Sequence, residues 1–500
     1  MDLFSYRNGE LFAEDVPVRA IVEQAGTPCY IYSRGTIESH YDRLVEAFAP
    51  IDPLVCYSVK SCANLSILRT LGQRGAGMDV VSGGELFRAR AAGVEATRCV
   101  YAGVGKTDEE IVYAIREGLG SNDVGLFNCE SEQEFENIAR LARLENMVVR
   151  VALRINPDVD PKTHRYTTTG KKESKFGVDL ERARRFFERF GRDPYAKLVG
   201  LHLHIGSPVY TVEPYREAMA KTAALVETLA ADGFAIRSID LGGGFGADYE
   251  SLQSPTLQEY ANAILPIAKP LFDRGIRFIL EPGRTIVANA GILVLKVLYT
   301  KTSGEKRFVI CDAGMNALLR PSHYGSFHFI WPVAPGESMV PVRRTPDPQL
   351  PGTVPQDVVG PLCETGDFLA LDRMLPANLE RGDLLAVFTA GAYGMSMASR
   401  YNSSPLPAEI LVTGSTVEIV RARETFDTII EHELAPRRLV IASNAGTMIA
   451  SDAGTMIASN AGTMIASDAG TMIASDAGTM IASNAGTMIA SNAGHLEPIE

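Results

Sequence analysis

The sequence predicts an α/β protein: a (β/α)8 barrel, a mostly β C-terminal domain that includes the N-terminal segment, and a low-complexity octad-repeat tail. Three observations carry this reading. Eight short β-rich runs alternate with amphipathic stretches over about 250 residues, the span of such a barrel. After Glu281 the texture changes to short strand-like runs and Pro-rich turns. From Ile441 to Gly494 the chain repeats IASNAGTM or IASDAGTM, with six full copies and a truncated seventh.

Residues 1–35 are expected to join the β domain, and 36–285 to form the barrel, with a helical stretch at Ile37–Phe48 ahead of the first strand. Strands are expected at Val55–Val59, Met78–Val81, Cys99–Ala102, Asp123–Phe127, Val149–Ile155, Val199–Ile205, Ser238–Leu241 and Arg277–Leu280. Helical spacing fills the intervals, as in Leu65–Leu71, Glu85–Ala92, Glu109–Glu117, Glu130–Leu144, Pro214–Ala231 and Leu257–Phe272. The connection from Asn156 to Gly177 is long for a compact barrel and reads as a functional lid or a disordered segment. Residues 286–430 form the β domain, with strand-like runs such as Phe308–Cys311, Leu384–Phe388 and Ile410–Thr413. In the tail, 441–494, Asn/Asp-Ala-Gly is turn chemistry and Thr-Met-Ile-Ala suits a short rung. Its bulky apolar content is too low for a core, so poor order is expected.

Composition narrows the function. With 46% hydrophobic residues, the 500-residue chain can bury a large core. Its 48 basic and 60 acidic residues give −12, which removes the electrostatic case for a nucleic-acid partner. No apolar run reaches the ~18 residues that span a bilayer. MDLFSYRNGELFAEDV lacks the basic start and apolar core of a secretory signal. Seven scattered cysteines without a CxxC pair argue against a disulfide framework and a zinc site. A cytoplasmic protein with a small-molecule substrate and no membrane partner is expected.

Barrel chemistry belongs at the C-terminal ends of the strands. Those ends carry Lys60, Asp79, Arg154, His204, Gly242-Gly243-Gly244, Glu281 and Arg284. A Lys emerging from VCYSVK is a candidate Schiff-base amine, since partial burial lowers a lysine pKa; alone, it is more often simply solvated. Three glycines let backbone N–H groups approach a phosphate, although tight turns also need glycine. A dinucleotide fingerprint through Gly242, Gly244 and Ala247 fails because Asp248–Pro255 is loop-like where a helix should begin. His202 and His204 alternate on one expected strand and so share a face. Without a third ligand nearby they read as one stacking and one packed imidazole, with no metal site. Glu281 and Arg284 could form a plain ion pair. Together, an amine, a phosphate cradle, a flat imidazole and a carboxylate at one mouth match what pyridoxal phosphate requires.

With these residues in place, the sequence resembles the barrel-fold pyridoxal-phosphate-dependent decarboxylases over about residues 25–420. The resemblance rests on YSVK, MDVVSGGEL, HRYTTTGKKESKFGVD, LHLHIGS, DLGGGFG, EPGR, CDAGMNALLRPSHYGS, GPLCETGD and GAYGMSMASRYN. It implies that Lys60 carries the cofactor, His204 stacks on its ring, and Ser207 with Gly242, Gly243 and Gly244 holds its phosphate. Asp79, Arg154 and Gly283 fall among the cofactor contacts, Glu281 at the pyridine nitrogen. Arg284 and Tyr393 are implied to touch both cofactor and substrate, Arg320 and Tyr324 the substrate carboxylate. Cys363 matches the proton donor and Glu364 the contact to the substrate's far amino group, both from the partner subunit of a homodimer. The implied reaction converts meso-2,6-diaminopimelate to L-lysine and CO2. Pro208, Ser61 and Cys62 depart from the usual pattern of the loops, and the octad tail has no counterpart in it.

Rival readings keep the barrel. A sister decarboxylase for ornithine, arginine or carboxynorspermidine would share the cofactor residues; Glu364 with Arg320 instead suits a substrate bearing amino-acid groups at both ends. A racemase of this fold tends to place Arg at the pyridine nitrogen, where this chain has Glu281. A non-catalytic regulator would be expected to lose Lys60 or Cys363.

Overall fold

A computed structural model describes residues 2–160 and 175–434, and the backbone of 439–498 apart from two-residue gaps between strands. The centre of the expected lid, 161–174, which includes most of HRYTTTGKKESK, lies outside the described residues. The chain forms two compact units, Met1–Glu424 and Thr425–Glu500.

Hydrophobic runs of the first unit become eight parallel strands in a closed ring: Leu54–Ser58, Gly77–Val80, Cys99–Tyr101, Leu126–Cys129, Val149–Asn156, Ala196–His202, Ser238–Asp240 and Arg277–Leu280. Leu280 pairs with Val55 and closes the barrel. Helices follow each strand, including Leu180–Phe190, which is absent from those named above. Ser82, Thr107, Ser131 and Thr256 each accept the backbone amide three residues on, so these helices begin at a capped turn.

Two strands lie elsewhere than periodicity suggests. The fourth, expected at Asp123–Phe127, starts at Leu126 because Asn122 Oδ1 accepts the amides of Val124 and Gly125 at 3.0 and 2.7 Å. The sixth, expected at Val199–Ile205, is Ala196–His202 and stops before His204.

A second sheet lies in the same unit, in the order Phe368–Pro376, Thr353–Val359, Lys306–Cys311, Gly291–Ser303, Cys29–Ser33, Ala408–Thr413, Thr416–Arg421. The leading segment enters it through Cys29–Ser33, which runs antiparallel to Gly291–Ser303 and parallel to Ala408–Thr413. Among the described residues no helix is long and apolar enough to cross a membrane.

The second unit carries the octad repeats. Its octads form parallel rungs whose partners lie two octads apart, as in Ala445↔Ala461 and Thr447↔Thr463. Backbone pairing needs no bulky core, and identical octads offer the same register at every step.

Candidate active site

Lys60 sits in a single 3-10 turn, Val59–Ser61, immediately after the first strand. Its Nζ donates to Asp79 Oδ2 at 2.7 Å, and Asp79, on the second strand, is fully buried. Ser58 Oγ donates to the same oxygen at 2.6 Å and fixes the carboxylate in place. The pKa expectation is therefore reversed. Burial pulls the Lys60 ammonium down, but Asp79 and then Glu281 hold it above the usual lysine range. Asp79 Oδ1 is buried without a hydrogen-bond partner among the described residues. Beside Lys60 opens a cavity of about 570 Å³, which Glu85, Arg88 and Tyr393 also line.

The turn after Asp240 can only be glycine. A Cβ on Gly242 would strike the Leu203 carbonyl, on Gly243 the Glu281 carbonyl, and on Gly244 the Gly206 carbonyl; Gly242 and Gly244 also have positive φ. Gly243 N donates to His204 Nδ1 at 3.2 Å, which places the ring proton on Nε2. Burial, followed by the charges of Arg154 and Lys60, holds His204 far below the usual histidine range, so its ring is neutral and flat. Arg284 closes this side: Nε donates to Ser207 Oγ at 3.2 Å and Nη1 to Tyr249 Oη at 2.7 Å. Gly283 is required as well, because a Cβ there would crowd Ser58 and Ser61.

Glu281 and Arg284 do not form the ion pair considered above. The Pro-Gly turn between them sends Arg284 towards Ser207, while Glu281 stays over the barrel interior. There Asn128 Nδ2 donates to Glu281 Oε1 at 3.2 Å and to Asp240 Oδ2 at 3.0 Å. His202 Nε2 lies 3.4 Å from Glu281 Oε2. Burial, then Asp79, raises the Glu281 carboxyl above the carboxylate range; burial, then Glu281, does the same to Asp240. His202 and His204 therefore serve different places and not one shared face. Because the strand ends between them, the first is packed in the barrel and the second stands at its mouth. Arg154, at the end of the fifth strand, is buried with Nη1 on Glu130 Oε1 at 2.9 Å.

On the far side of Arg284, Tyr249 carries a second guanidinium: the Arg320 carbon lies 4.5 Å from its ring centroid. Arg320, at the start of the helix Arg320–Tyr324, is buried and donates to His328 Nε2 at 2.8 Å. Tyr324 ends that helix and meets His323 edge to face. The Tyr393 ring lies 4.9 Å from the Arg284 carbon, and its amide donates to Ser61 O at 2.7 Å. Cys363 is the one exposed cysteine of the seven, which removes the alternative of a packed core thiol. Glu364 beside it is also exposed. Their turn is held by buried Asp367, whose carboxylate accepts the amides of Met315 and Leu362, each at 2.7 Å.

The mouth thus gathers Lys60, Asp79, His204, Ser207, the glycine turn, Glu281 and Arg284, with Arg320 and Tyr393 adjoining. Cys363 and Glu364 stand exposed on a turn braced by Asp367. Sequence reasoning missed Ser58, Asn128, Asp240 and Tyr249. A polar Asn inside the buried run LFNC was a legible signal, whereas Tyr249 was hidden in a stretch read as loop. The glycine cradle, the seryl–arginine clamp, the neutral imidazole and the orphan Asp79 oxygen fit pyridoxal phosphate.

The comparisons agree with this geometry. Residues 34–288 match the family described as "Pyridoxal-dependent decarboxylase, pyridoxal binding domain". A diaminopimelate decarboxylase of Aquifex aeolicus is 43% identical over 86% of this chain and 97% of its own length. One from Pseudomonas aeruginosa is 43% identical over 87% and 99%. The solved diaminopimelate decarboxylase of Helicobacter pylori, complexed with L-lysine, superposes with a TM-score of 0.76 at 38% identity, covering 83% of this chain and 99% of that one.

Proposed function

This chain belongs to the pyridoxal-dependent decarboxylases, and on that premise we propose that it converts meso-2,6-diaminopimelate to L-lysine and CO2, the last step of lysine biosynthesis. The observation that carries the choice of substrate is the pair of buried guanidiniums, Arg284 and Arg320, on one tyrosine next to the phosphate cradle. Arg284 turns to the phosphate side through Ser207, which leaves the buried Arg320 for a substrate with a carboxylate to spare beyond the one that leaves.

Gly242, Gly243, Gly244, Ser207 and Arg284 would hold the cofactor phosphate, His204 its ring face and Glu281 its pyridine nitrogen. When bound, pyridoxal phosphate supplies the sink for the electron pair that the departing carboxylate leaves behind. Asp79 Oδ2 accepts from Lys60 Nζ and holds the amine in place at the mouth. Arg320, Tyr324 and Tyr393 bind the retained carboxylate. Cys363 Sγ returns a proton to the substrate carbon, and Glu364 pairs with the distal ammonium. Both stand exposed on their turn, which favours their donation to a second copy, so the working form is a homodimer with shared sites. The six buried, unbridged cysteines suit a reducing cytoplasm.

The test is release of CO2 and L-lysine from meso-diaminopimelate, run beside ornithine and arginine. Borohydride treatment should fix the cofactor covalently on Lys60. A faster reaction with ornithine would assign the chain to a sister decarboxylase, and label on another lysine would remove Lys60 from its role.

A further inference from the structure

We infer that Asp240 and Asn128 are positioning residues that lock Glu281 and the glycine turn into one unit, so that both ends of the cofactor site are set by a single buried carboxylate. This rests on the proposed cofactor site and goes deeper into it. Asp240 Oδ1 accepts Gly242 N at 2.9 Å, which orients the first residue of the phosphate turn. Its other oxygen, Oδ2, takes the Asn128 amide at 3.0 Å, and the same Nδ2 reaches Glu281 Oε1 at 3.2 Å. Glu281 N donates in turn to Gly242 O at 2.8 Å, and this closes a ring of hydrogen bonds through backbone and side chains. Asp240 is fully buried and Glu281 nearly so, and oxygen atoms of the two carboxylates lie within 4.8 Å of one another.

Two buried carboxylates at this separation cannot both be ionised cheaply, so one proton is shared between them. Asn128 stabilises whichever oxygens carry charge. The other groups facing Glu281 are Lys60, Asp79, Arg154 and His202, with Cys56 below as a neutral thiol. The shared proton sits on Asp240, whose carboxyl then donates towards Glu281 and lowers its pKa, so removing Asp240 leaves Glu281 harder to ionise. Removing the Asn128 amide takes away a second donor to the charged form and acts in the same direction.

The experiment titrates apoenzyme with pyridoxal phosphate across pH, reading the visible absorption of the bound form. If binding needs anionic Glu281, affinity falls on acidification as Glu281 takes up its proton. Asp240→Ala and Asn128→Ala should each move that fall to higher pH by about one unit, and Asp240→Asn, whose amide restores a donor towards Glu281, should leave it near the unaltered midpoint. The cofactor's own titrations are common to all these proteins and cancel. A merely structural role would weaken binding at every pH without moving the midpoint, and that result, or a shift to lower pH, overturns the inference. Should Asn128→Ala fail to fold, Asp240→Ala decides, read beside Asp240→Asn: a shift to higher pH in the first that the second reverses supports the link, and an unmoved midpoint in the first refutes it. Failure of the unaltered protein to bind pyridoxal phosphate would instead refute the cofactor reading itself.

Discussion

Asp367→Asn tests whether the turn that presents Cys363 is held from beneath. The carboxylate of Asp367 is buried and accepts two amides, Met315 N and Leu362 N, each at 2.7 Å. Gly314 and Gly360 close around it so tightly that neither could bear a Cβ. Asparagine keeps the shape but turns an NH2 towards one of the two amides, exchanging a charge-assisted bond for a donor facing a donor. Losing one such bond in a buried site costs about 1.5–3 kcal/mol. If the reaction needs the braced turn, that energy corresponds to a fall in kcat of about tenfold to a hundredfold. Pyridoxal phosphate affinity should stay unchanged, because Asp367 touches none of the residues of the cradle. The assay pairs steady-state kinetics with a urea melt. A full kcat with a lowered urea midpoint would confine the brace to folding, and no change in either would show that Asp367 holds nothing that matters.

Three further outcomes are expected. Cys363→Ala should retain cofactor binding and lose most product formation, since it removes a proton donor and no ligand; an unchanged kcat would end its assignment. Glu364→Ala should raise KM for diaminopimelate by leaving the distal ammonium unpartnered, and an unaffected KM would place that group elsewhere. Deleting 441–500 should leave activity and cofactor binding intact, because every site residue precedes Tyr401 and the octads hold no His, Lys, Arg or Cys. Size-exclusion chromatography of the truncated protein tests the remainder: a loss of dimer would make the tail structural.

Local patterns were enough to reveal the barrel. Its eight strands are apolar runs of a few residues and its helices carry 3.6-residue periodicity, both properties of neighbouring residues. The residues at the strand ends were legible for the same reason: once the strands are placed, their termini lie at one mouth, and Lys60, Asp79, His204, the glycine turn and Glu281 come with them. What each of these groups does to another depended on separations in space between residues far apart in the chain. Lys60 is raised and not lowered because Asp79, nineteen residues on, meets it at 2.7 Å. Asn128 lies 112 residues from Asp240 and 153 from Glu281, yet one amide serves both. His202 and His204 part company because strand six ends between them, a boundary set by the turn it must make and not by its hydrophobicity. Periodicity reports which face of an element a residue occupies; charge, desolvation and hydrogen bonding depend on what that face meets, and only the closed barrel decides that.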